Sequence, residues 1–131
     1  MTMMMMTFKS DIVWNEREAP VRAAPILDLA HLRKYTLGAG DLEREILALF
    51  LAELPKTRKA LEAASTRSAW HMAAHTLKGS ALAVGAGRLA DAGSAAELLQ
   101  RPTDGDRASA IKRVTTAIDE VQAEIVRLRL I

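Results

Sequence analysis

The chain has 131 residues, half of them apolar, and its 18 Lys and Arg against 16 Asp and Glu leave a formal net charge of +2. That length suits one domain with a sizeable core, and so small a basic excess, with no basic stripe, argues against nucleic acid or an anionic membrane as partner. The absence of Cys excludes disulfides, thiolate metal sites and thiol catalysis, and is compatible with the expected cytoplasmic location.

Residues 1–25 carry a methionine run, Pro20 and Pro25, and no sustained period, so they read as a flexible tail. The run is too short for a signal peptide, and Lys9, Asp11 and Glu16 soon interrupt it. Organisation begins at Asp28, an N-cap for a short helix Leu29 to Tyr35 that carries His31. After Gly38 and Gly40, Asp41 is a second N-cap candidate. Behind it Leu42, Ile46, Leu49, Phe50 and Leu54 trace one helical face, edged by Leu47 and Leu51 and blemished by Glu53. Pro55 predicts a kink rather than a stop, because Leu61 resumes the pattern.

The next helix is expected over Ser68 to Val84, with Trp70, Ala73, Leu77, Ala81 and Val84 as its buried stripe and Gly85 and Gly87 at its end. A fourth helix turns Leu89, Ala92, Ala96 and Leu99 inward, and Gly93 permits close approach to a neighbour. Pro102, Asp104 and Gly105 make the following turn. In the last helix Ile111, Val114, Ile118, Val121, Ile125 and Leu128 alternate at three and four. No segment shows strand alternation. The expected fold is all-α: an antiparallel up-and-down four-helix bundle over residues 26–131, with a short additional N-terminal helix.

The chemistry lies in His71-Met72-Ala73-Ala74-His75-Thr76-Leu77-Lys78-Gly79-Ser80-Ala81. On a helix, His75 lies roughly 200° from Leu77, so burying Leu77 turns His75 outward, together with Lys78, Gly79, His71, Met72 and Leu82. An imidazole titrates at about pH 6.5, so at neutral pH most of it is free to attack phosphorus. Lys78 can neutralise a transferred phosphoryl group as a flexible point charge. Gly79 costs about 1 kcal/mol relative to Ala inside a helix, which suggests that something must come close there. Close helix packing would explain the same glycine, and geometry alone does not choose between the two.

The run Ala74-His75-Thr76-Leu77-Lys78-Gly79-Ser80-Ala81, followed by Val84-Gly85-Ala86, Leu89-Ala90 and Glu97, closely resembles the signature of histidine-containing phosphotransfer (HPt) domains. The helix from Asp41 to Ala64, with Phe50-Leu51 and Pro55, is also similar to the one that precedes the phosphorylated helix in that family. Gly93 departs from the larger residue or Cys of many members, a matter of packing rather than of chemistry. The resemblance implies that His75 is the phosphorylated histidine, reacting through Nε2, with Lys78 beside the phosphate and Gly79 making space. It implies a phosphocarrier between aspartates of response regulator receiver domains, fed by a hybrid or sensor histidine kinase. Such a carrier is monomeric, has no kinase turnover and needs no cofactor of its own, Mg²⁺ being supplied by the receiver. The docking face would be the exposed side of the His75 helix with the preceding helix, drawing on His71, Met72, Leu82 and Phe50.

Two other functions fit a helix-borne histidine. A histidine kinase dimerisation bundle usually has an acid directly after the histidine, where Thr76 stands here, and requires an ATP-binding domain. A bundle that only binds a partner would use Met72, Leu82 and Phe50 as its apolar patch and leave His75 idle. A metal chelated by His71 and His75 lacks an evident third ligand, and Met72 stands where a metalloprotease needs a carboxylate.

Overall fold

The structure is a computed structural model that describes residues 24–130. It contains helices α1 (Leu29–Thr36), α2 (Gly40–Ala63), α3 (Arg67–Val84), α4 (Gly87–Glu97) and α5 (Asp104–Arg127), and no strand among the described residues. Helices α2 to α5 form a ring in which each packs on its neighbours in sequence and α5 closes back on α2, while α1 lies against α2 and α3. This is the four-helix bundle with an additional N-terminal helix that the apolar periodicity predicts. Most of the expected tail, residues 1–23, lies outside the described residues. No helix among the described residues is long and apolar enough to cross a membrane.

Side chains at the helix starts supply acceptors for backbone N–H groups that have no partner within the helix. Asp28 accepts from His31 N at 3.2 Å, and Thr66 from Ala69 N at 3.0 Å. Thr103 and Asp106 form a reciprocal capping box at the start of α5, inside the stretch read from sequence as a plain turn. The expected cap at Asp41 is not formed. Helix α2 begins two residues earlier, with Ala39 at the cap position, so Asp41 stands in the first turn, where its charge complements the helix dipole.

Helix α2 also corrects the expected buried face. Glu43, Leu47, Phe50, Leu54 and Leu61 point inward, whereas Leu42 and Leu49 are exposed. The stripe is turned by about one residue because its first inward position is a carboxylate. Buried Glu43 accepts from Arg33 Nε and Thr36 Oγ1, each at 3.1 Å, which ties α1 to α2. Glu53 is exposed and pairs with Lys56, so it is no blemish on the core face. The helix runs on through Pro55, as the return of the pattern at Leu61 requires.

Helix α3 buries its expected stripe, together with Ala74. The most extensive helix pair is α3 with α4. Trp70 is anchored there by its indole N–H, which donates to Ala96 O at 2.8 Å. Gly93 brings the two backbones together: a Cβ on it would lie 3.1 Å from Lys78 N and 3.2 Å from Lys78 Cα. At the far end of α3, Gly85 has φ +84°, and a Cβ there would fall 2.7 Å from the Asp28 carbonyl oxygen. That bare turn lets the segment entering α1 cross the end of α3, where Asp28 N donates to Gly85 O at 2.8 Å. Just before it, the carbonyls of Ala24 and Pro25 accept from Arg88 Nε and Arg88 N.

Gly93→Ala would force α4 away from the α3 backbone at Lys78. We expect a loss of about 1–3 kcal/mol, the usual effect of overfilling a packed contact, read as a lower urea midpoint with an unchanged slope.

Candidate functional site

The 200° separation between Leu77 and His75 works as expected. Leu77 is buried, and the His75 side chain is 62% exposed on the outer face of α3. His71 and His75 lie one turn apart with nearly parallel rings, 6.2 Å between centroids. Met72 and Leu82 are exposed on the same helix. Phe50 is not available to a partner. It is 6% exposed and belongs to the core, on the apolar face of α2 that its spacing predicts, and only the docking role expected of it fails. His31 lies on α1 against Tyr35, away from this cluster.

The group that organises the cluster is Glu97, which along the chain stands out only as the last member of the family-like run. Its side chain, 13% exposed, sits on α4 one turn after Gly93 and reaches across to α3. Oε2 is 2.7 Å from His75 Nδ1, and Oε1 is 2.8 Å from Lys78 Nζ. His71 Nε2 stands 3.4 Å from the same Oε2. Gly93 and Glu97 share a helix face at i and i+4, so the approach that removes a side chain at Gly93 also delivers the carboxylate. The available signal was an acidic residue one turn beyond a glycine in an otherwise small-residue helix.

This geometry has chemical consequences. An ionised carboxylate can only accept, so the Nδ1 that faces it must carry the ring proton. In the neutral imidazole the lone pair is then on Nε2. Glu97 therefore selects one tautomer and steadies the ring from behind. The hydrogen bonds from Lys78 and then His75 favour the ionised carboxylate and hold its pKa below the usual 4.5, against a smaller opposing effect of desolvation. Lys78 is not an idle cation. It is bonded to Glu97, yet an ammonium has three N–H donors and can serve a second anion.

Gly79 is exposed, and a Cβ built on it would meet nothing within 4 Å. Packing inside this molecule does not explain the glycine, in contrast to Gly93. Among the described residues, no group of three or more His, Asp or Glu side chains has the arrangement to hold a metal ion.

A family profile described as Hpt domain matches residues 45–129, more than half of the chain. No curated protein and no solved structure matches.

Because the Glu97 carboxyl is held below its ordinary value, its contribution to stability is complete above pH 4.5 and is lost as the pH falls through the lowered value. The stability difference between the wild type and Glu97→Gln should accordingly shrink as the pH falls below about 4.5. Urea midpoints measured for both proteins between about pH 3 and 5 test this; a gap that widens over that range contradicts the assignment.

Proposed function

Since the chain belongs to the Hpt domain family, whose members carry out histidine-containing phosphotransfer in phosphorelays, we propose that His75 is its phosphoryl carrier. The observation that supports this reading best is the pairing of His75 Nδ1 with Glu97 at 2.7 Å on a ring that is otherwise open to solvent. Nε2 is the free nucleophile in that arrangement.

In the forward step the Nε2 lone pair attacks the phosphorus of an aspartyl phosphate on a receiver domain. The N–P bond forms as the P–O bond to the aspartate breaks, and the aspartate leaves as a carboxylate. The ring keeps its Nδ1 proton and gains positive charge, which Glu97 faces directly. A preorganised carboxylate at that position stabilises the developing imidazolium without having to move. Lys78, already near the ring, can turn a second N–H toward the phosphoryl oxygens. Transfer to a second receiver runs the same step in reverse. Mg²⁺ and the acidic pocket belong to the receiver, and the chain acts as a carrier without kinase turnover of its own.

Met72 and Leu82 flank His75 along α3, and both are exposed. They offer an apolar centre to a docking receiver, with His71 at its edge. On α2, Phe50 is buried and is not part of this surface. A modest, transient interface of this kind suits a carrier that must release one partner before meeting the next. Gly79 fits the same reading: the space above it is open to an incoming backbone.

Incubation with a phosphorylated receiver should give an acid-labile phosphate on His75, and His75→Gln should remain folded and take up none. Labelling of the variant at an undiminished level would overturn the assignment. Gly79→Ala should separate stability from function. It should raise stability by up to about 1 kcal/mol through helix propensity, with no clash inside the molecule, while slowing transfer from the receiver. Unchanged transfer kinetics would show that no partner needs the space.

A further inference from the structure

Beside the start of α3 and the link between α4 and α5 lies an open pocket of about 450 Å³. Arg67, Arg101 and Arg107 all line it, with Ser65, Gln100 and the edge of Trp70, and none of its lining residues is acidic. Arg33, Arg44, Arg88 and Arg127 each pair with a carboxylate. The three arginines of the pocket form no such pair among the described residues. The acids nearby in sequence make no direct pair with them: Asp106 is bonded to the Thr103 backbone, Asp104 forms no ion pair among the described residues, and Glu62 offers Arg107 only its carbonyl, at 3.5 Å.

We propose that this pocket binds a small anion of the phosphate type carrying at least two negative charges, a site separate from the phosphoryl-carrying residue. Like charges gathered without counter-ions repel, and a bound anion relieves that repulsion. Guanidinium groups suit phosphate because their forked N–H donors match paired oxygens. Arg107 is already fixed in place. Its guanidinium lies over the Trp70 ring, 5.1 Å from the centroid, and that ring is itself held by the bond to Ala96. A ligand would therefore meet a partly preorganised donor set, which lowers the entropy lost on binding. The volume falls within the range of about 300–1,000 Å³ usual for small-molecule pockets, more than a lone oxyanion fills. Arg67 and Gln100 also line an adjoining cavity of about 360 Å³ with His71 and Glu97. The anion site thus borders the histidine cluster, although His75 lines neither cavity.

The test is calorimetric titration of the full chain with inorganic pyrophosphate at fixed moderate salt, with glycerol 3-phosphate in a parallel arm. Saturable binding is expected, weakened about tenfold or more by Arg67→Ala and by Arg101→Ala. Arg107→Lys, which keeps the charge and loses the fork, should also weaken it. Circular dichroism of each variant establishes that the bundle is intact. His75→Gln should bind as the wild type does, so that failure of the phosphocarrier reading and failure of this one are told apart. Pyrophosphate binding without glycerol 3-phosphate binding would assign the pocket to inorganic anions, and binding of both would extend it to phosphate esters. No saturable binding at about 10 mM, or binding that survives loss of Arg67 and of Arg101 undiminished, would overturn the proposal.

Discussion

The contact between Gly93 and the backbone of Lys78 is the constraint from which the site follows. It sets the separation of α3 and α4 where the reactive side chains stand, and a missing Cβ is what permits it. One turn along α4, that separation puts the Glu97 carboxylate within hydrogen-bond reach of His75 and Lys78. A looser pair of helices would leave the carboxylate in water and the imidazole free to change tautomer. The Trp70 bond to Ala96, in the same helix pair, holds the opposite end of this contact closed. Chemistry on the surface therefore rests on a core dimension, as a precise site on a rigid scaffold must.

Glu97 draws together groups that look independent along the chain. His71, His75 and Lys78 all address one carboxylate, two of them through the same oxygen. One anion faces an ammonium and two rings able to carry charge. On the proposed reading, positive charge that appears on the His75 ring would face the Glu97 carboxylate directly, with little rearrangement of its neighbours.

Much of this was legible from residue spacing. The apolar stripe of α3 and the turn at Gly85 follow from period and punctuation, and they suffice to place His75 in solvent. Spacing failed in part in α2, where counting only apolar residues turned Leu42 and Leu49 inward, although it placed Phe50 and Leu54 correctly on the core face. Glu43 is the reason: its burial is possible only because Arg33 and Thr36 supply donors from α1, a tertiary fact. Glu97 was hidden for the same reason, since its importance comes from a neighbouring helix. The two glycines show the limit most clearly. Helical period places Gly79 outside and Gly93 toward a neighbour, yet only the fold shows that one faces open space and the other the Lys78 backbone.

The crossing at Gly85 also fixes where the rest of the polypeptide attaches. Asp28 is clamped to the turn after α3, and Ala24 and Pro25 are held by Arg88 close by. Nine residues of helix separate Val84 from His75, about 14 Å at 1.5 Å per residue. Anything joined upstream of Ala24, whether a native extension or an affinity tag, is thus tethered near the pole of the bundle away from Arg67. It starts its path roughly a helix diameter and more from the reactive ring. An attachment made at Ala24 therefore leaves the outer face of α3 at His75 uncovered, which makes this end a handle for immobilising the bundle.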